Sequence, residues 1–244
     1  MNHDNAAARL LAILTIGKTF TPTSTCTNAW MRIFEIDGKD PHASSIMMSK
    51  LGQVMLLPHE TRILVKQYYP NQEEALNHTL NQIQLAFSSQ NLSSQWVSFI
   101  NHIDAHCFNT LSMVTALLES KLQNKIISNE KLDSFKNKIQ ELIDETIKSD
   151  LSNDFKKFMT HYLQRILTSI NDYLISGAMP ILTAVEATLG HAVLDPNFKA
   201  ELKDTETGSK IRDLISDLAN VVTVATAATG AVAHISSNGF NLLG

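Results

Sequence analysis

Charge is what this 244-residue chain lacks first. From Leu218 to Gly244 there is no Asp, Glu, Lys or Arg. A helix built there has no wet face, so it must be covered by a core, a partner subunit or lipid. Charged residues are only 18% of the whole, below the usual quarter, which favours contact with other protein over life as a free monomer. Glycine (9) and proline (6) are scarce, which argues against a turn-rich all-β fold and for few, long elements. With two cysteines, Cys26 and Cys107, there is no disulfide framework, and the reduced cytoplasmic state is expected. A net charge of −4 gives no electrostatic footprint for nucleic acid or an anionic membrane surface.

Catalytic signatures are also missing. The chain holds no G-x-S-x-G elbow, no phosphate loop of the G-x-x-x-x-G-K-[ST] type and no G-x-G-x-x-G fingerprint. Glu141, Asp144 and Glu145 alternate with Lys136, Lys138 and Lys148, the pattern of a solvated helix face rather than of a carboxylate pair with a raised pKa. The apolar run Leu10–Ile16 is preceded by Asp4 and followed by Lys18, with no small-x-small cleavage site. It reads as a first core helix and not as a secretory leader.

What is present is helical spacing almost throughout, so the expected fold is all-α, an irregular bundle of about eight to ten helices. Asp4 caps a helix through about Lys18. A short helix carries Trp30, Ile33 and Phe34 and is broken at Asp37-Gly38. Residues 41–57 are helical, with Pro58 either kinking the helix or opening the next turn. Further helices are expected over 73–88 and 93–122. Leu132, Phe135, Ile139, Leu142, Ile143 and Ile147 mark another, and a wider stripe from Phe155 to Tyr173 marks a helix with neighbours on two sides. Gly177 is a helix-ending corner. A short helix over 180–189 closes at Gly190, Asp195-Pro196 opens the next, and 201–208 is a polar linker to a last helix from about Ser209. A rise in charge density near Ser128 divides the chain into an N-terminal helical lobe, 1–127, and a C-terminal one, 128–244, read together as one continuous domain.

Two features could carry function. His102 and His106 are four apart in the expected 93–122 helix, the spacing of a zinc helix, with His78 or His161 as an outside third ligand. The metalloprotease glutamate is absent, since position 103 is Ile. Metal-dependent hydrolysis is therefore the outside reading, satisfied histidines are the plainer one, and no cofactor is expected. The uncharged tail is the other feature. Its length is barely adequate for a span of about 20 residues, and Asn220, Thr223, Thr226, Thr229 and His234 interrupt it. Small residues at four-residue spacing suit close helix packing instead, so the leading reading is a buried core helix, then a subunit contact and last a membrane helix, with Leu218, Val222, Ala225, Ala228, Thr229 and Val232 as contact residues. The amide-rich, charge-free stretch from Ala75 to Ile103 reads as ordinary surface or as an interface face.

These readings favour a non-enzymatic, all-helical interaction protein that binds a protein partner or itself, with no nucleic acid and no small-molecule substrate. Asn-, Lys- and Ile-rich usage suggests a bacterial or phage multi-protein system. The alternative is a membrane-active effector of toxin or defence type, whose terminal helix inserts into the inner membrane.

Overall fold

A computed structural model describes residues 4–226 of the chain. Among them are twelve α-helices and no strand, so the all-α class holds. The count exceeds the expected eight to ten by two single-turn pieces, α5 and α9. The described residues fall into two compact units that part between Gln123 and Asn124.

The first unit contains α1 (Ala6–Lys18), α2 (Cys26–Ile33), α3 (Ala43–Tyr68), α4 (Asn77–Ser89), α5 (Val97–Ile100) and α6 (Ala105–Leu122). Helix α1 packs against α2, α3 and α6. It buries Leu10, Leu11, Ile13 and Leu14, so the leader-like run is a central core helix. Its cap is Asn5, not Asp4. The Asn5 side chain accepts from the Ala8 N–H at 3.0 Å, while Asp4 pairs with Arg9 at 3.2 Å. Helix α3 runs straight through Pro58, which is buried. The proline ring has no N–H to offer one turn back, and burial of Val54, Leu57 and Thr61 around it holds the helix together.

The expected 93–122 helix is interrupted. Residues 22–27 and 92–97 run antiparallel, with Cys26 N–H donating to the Ser94 carbonyl at 2.9 Å and Trp96 N–H to the Ser24 carbonyl at 2.6 Å. This pairing pulls Trp96 out of any continuous helix and drives it into a cluster with Trp30 and Phe99. The Trp96 indole N–H donates to the Gly17 carbonyl at 2.8 Å. A Cβ on Gly17 would lie 2.8 Å from the same indole ring, so position 17 has room for glycine alone. Asp104 then caps α6 afresh by accepting from Cys107 N–H at 2.8 Å.

The second unit contains α7 (Asn129–Lys148), α8 (Asn153–Asn171), α9 (Tyr173–Ser176), α10 (Met179–Leu194), α11 (Pro196–Asp204) and α12 (Glu206–Thr226). Helix α8 packs against α7 and α10, as its wide stripe requires. Gly177 sits at φ 69°, the left-handed region, and forms the expected corner. Gly190 does not close α10, which continues to Leu194. Asp195 and Pro196 supply the stop, and Asp195 caps α11 by accepting from Asn197 and Phe198 N–H.

No polar linker spans 201–208. Thr205 alone separates α11 from α12, and its hydroxyl donates to the Glu201 carbonyl (2.6 Å) and accepts from Gly208 N–H (3.0 Å). Gly208 brings the two helix backbones together: a Cβ there would collide with the Glu201 carbonyl oxygen and lie 2.8 Å from the Leu202 Cα. Among the described residues no helix is long and apolar enough to cross a membrane.

Two glycine substitutions should move stability in opposite directions. Gly208→Ala must push backbone apart and is expected to cost about 1–3 kcal/mol. Gly52→Ala fills open space on an exposed helix and should gain about 0.5–1 kcal/mol. Urea unfolding of both variants checks the signs; a neutral Gly208→Ala would contradict the packing described.

Candidate functional site

The expected histidine pair does not share a helix. His102 lies in the turn between α5 and α6, ahead of the Asp104 cap, whereas His106 is in the first turn of α6. The four-residue spacing therefore does not place both rings on one helix face. His106 meets His78 of α4 instead, with ring centroids 5.2 Å apart. His161 belongs to the second unit. Among the described residues no group of three or more His, Cys, Asp or Glu is placed to hold a metal ion.

The His78–His106 contact has a local electrostatic consequence. The Asp104 carboxylate is held below its ordinary pKa, first by the Cys107 hydrogen bonds it accepts and then by the two nearby imidazoles. Cys107 is pushed the other way, up to about 11, mainly by burial and then by Asp104. Burial likewise raises the Cys26 thiol. Thiols so raised are poor nucleophiles, so both buried cysteines act as small core residues.

In the second unit Glu145 serves structure. Its carboxylate accepts from Thr207 (2.9 Å) and Lys210 (3.0 Å), and these bonds, Lys210 first, hold it below the usual range. A raised pKa is what acid catalysis would require, so this carboxylate is tuned away from it. Tyr162 and His191 form a second polar contact, hydroxyl to Nδ1 at 2.9 Å, with the imidazole stacked on Phe198 at 4.5 Å. These groups tie α8, α10 and α11 together, and the other ring nitrogen of His191 faces the Asp195 carboxylate at 3.7 Å.

Of the six contact residues expected in the tail, Leu218, Val222 and Ala225 lie within the second unit's own core, exposed by 4% or less. Helix α12 packs there against α7, α10 and α11. Lys125 N–H donates to the Ala225 carbonyl at 2.7 Å and ties the unit's first residues to this helix. Ala228, Thr229 and Val232 lie outside the described residues.

The surface that stands out is on α3, which sequence reading passed over. One side of α3 buries Met47, Leu51, Val54, Leu57, Thr61 and Val65. Leu56 and Ile63 are exposed on the opposite side, and Met48 and Met55 on its flank, by 43–56%. Ser45, Ser49, Gly52 and His59 are exposed on the same side. Between α3 and α4, beside this face, is a cleft of about 260 Å³ lined by Met55, His59, Arg62, Gln84 and Phe87. It is below the usual size of a small-molecule pocket. Arg62 points a guanidinium N–H at the Asn77 side chain, 2.9 Å away.

Searches of protein-family models, of curated proteins and of solved structures found no match to this chain.

Two outcomes follow from the Asp104–Cys107 pair. Alkylation of Cys107 at pH 8 should be at least about a hundredfold slower in folded protein than in urea, given its raised pKa; equal rates would contradict its burial. Asp104 has a depressed folded pKa, so its charge stabilises the fold above the unfolded carboxylate value near 3.9, and that contribution is lost as pH falls further. Asp104→Asn keeps a capping oxygen but cannot titrate. Its stability, followed by urea unfolding from pH 6 down to about 3, should fall less steeply than that of the wild type.

Proposed function

We propose that this chain is a non-enzymatic, all-helical interaction protein, a subunit of a bacterial or phage multi-protein system, and that the outer face of α3 is its contact surface. The observation that carries this reading is the exposure of Met48, Met55, Leu56 and Ile63 together over the solvent side of one 26-residue helix. Scattered exposed apolar residues are ordinary on any protein. A contiguous apolar face on a helix whose other side is already packed is what interaction sites use. The core of the first unit gains nothing from these side chains, and their exposure costs solvation in the free protein. Low overall charge works in the same direction, because interface centres are depleted of charged residues.

Carrying a photo-crosslinking amino acid at position 56, the protein should form covalent protein adducts in the cells that express it. The same group at the exposed position 138 on α7 should form none. An absence of adducts at 56 would overturn the reading.

A further inference from the structure

We propose that the occupant of the α3 face is a second copy of this chain, its α3 docked antiparallel to the first about a two-fold axis. This rests on the reading of that face as a contact surface and names the partner. Ser45, Ser49, Gly52, Leu56, His59 and Ile63 follow one another at alternating steps of four and three residues, the seam of a helix pair. All six are exposed. The seam is graded: its first half is small (Ser, Ser, Gly) and its second half large (Leu, His, Ile).

The grading selects the orientation. In a parallel pair, small would meet small and large would meet large, leaving a gap at one end and a clash at the other. In an antiparallel pair centred on position 54, Ser45 faces Ile63 of the other copy, Ser49 faces His59, and Gly52 faces Leu56. Every layer then sets a small residue against a large one, the packing that interdigitated helices require. Gly52 can receive the leucine because nothing lies within 4 Å of where its Cβ would be.

Charge agrees with this register. Lys66, at the end of the seam, is set against the His42 end of the other copy's α3, beside the exposed Asp40. Positions 50, 60 and 62, which carry Lys, Glu and Arg, fall opposite Pro58, Met48 and Ile46, so no like charges meet. The two helix dipoles run head to tail side by side, which favours the antiparallel sense. The seam from Ser45 to Ile63 is about 27 Å long at ~1.5 Å per residue. Such an interface buries on the order of several hundred Å² per copy, the low end of specific interfaces, so the dimer dissociates on dilution.

The test uses the full chain with a nitroxide label at Gln67→Cys; Cys26 and Cys107 are buried and do not compete. Sedimentation equilibrium should show a monomer–dimer equilibrium. Pulsed dipolar spectroscopy should report labels about 40 Å apart, since 67 is thirteen residues from the pairing centre in each copy. A label separation near 10 Å would mean parallel pairing and would overturn the proposal, as would a monomer at every concentration. Leu56→Asp should abolish the dimer while leaving the circular dichroism spectrum and urea midpoint of the monomer unchanged, because Leu56 is outside the core; a persisting dimer would also overturn it. If the chain is monomeric but a crosslinker at 56 captures a different protein, self-pairing fails while the interaction reading stands. If there are no adducts at all, both fail.

Discussion

Apolar helix surface has to be covered, and this chain meets that constraint by opposite means in its two units. In the second unit the apolar side of α12 is buried against α7, α10 and α11, while Asp213, Asp217 and Val224 face outward. Val222 is fully buried, and the Lys125–Ala225 hydrogen bond closes the unit around the helix. That enclosure depends on one close approach, the contact of Gly208 with the end of α11. Without it, α12 could not fold back on α11 after a single intervening residue. As far as Thr226 the tail follows its leading reading as a core helix, with Leu218, Val222 and Ala225 in the interior of the unit.

In the first unit the same constraint is met only on one side of α3. The unit's core uses the apolar stripe of α3 that runs from Met47 to Val65. The other side, with Leu56 and Ile63 half exposed, faces solvent. Two aromatic anchors keep the arrangement fixed. Trp96 bonds to the Gly17 carbonyl near the end of α1, and Trp30 to the Gln90 side chain just past α4.

Fold class was legible because it depends on spacing alone: Leu132, Phe135, Ile139, Leu142 and Ile143 are buried at the three- and four-residue steps they show in sequence. The corner at Gly177 and the helix start at Asp195-Pro196 were legible for a similarly local reason. Breaks imposed from a distance were not. The interruption before Asp104 follows from strand-like pairing of 92–97 with residues about 70 positions earlier, which leaves no local mark. The continuity of α3 through Pro58 and of α10 through Gly190 follows from packing that outweighs the propensity of one residue. The α3 seam was missed because Ser45, Ser49 and Gly52 look like ordinary polar surface. Their meaning depends on knowing that Met47, Leu51 and Val54 take the core side.

A second copy of the chain over the outer face of α3 would shield the side chains that border it. Methionine oxidation by peroxide, followed residue by residue by mass spectrometry across a protein dilution series, tests that shielding most directly. Met48 and Met55 border the seam at 53% and 43% exposure, and Met113 and Met179 are comparably open at 68% and 54% on other helices. The account predicts that Met48 and Met55 oxidise more slowly as protein concentration rises, while Met113 and Met179 keep constant rates. Equal, concentration-independent rates at all four positions would contradict it.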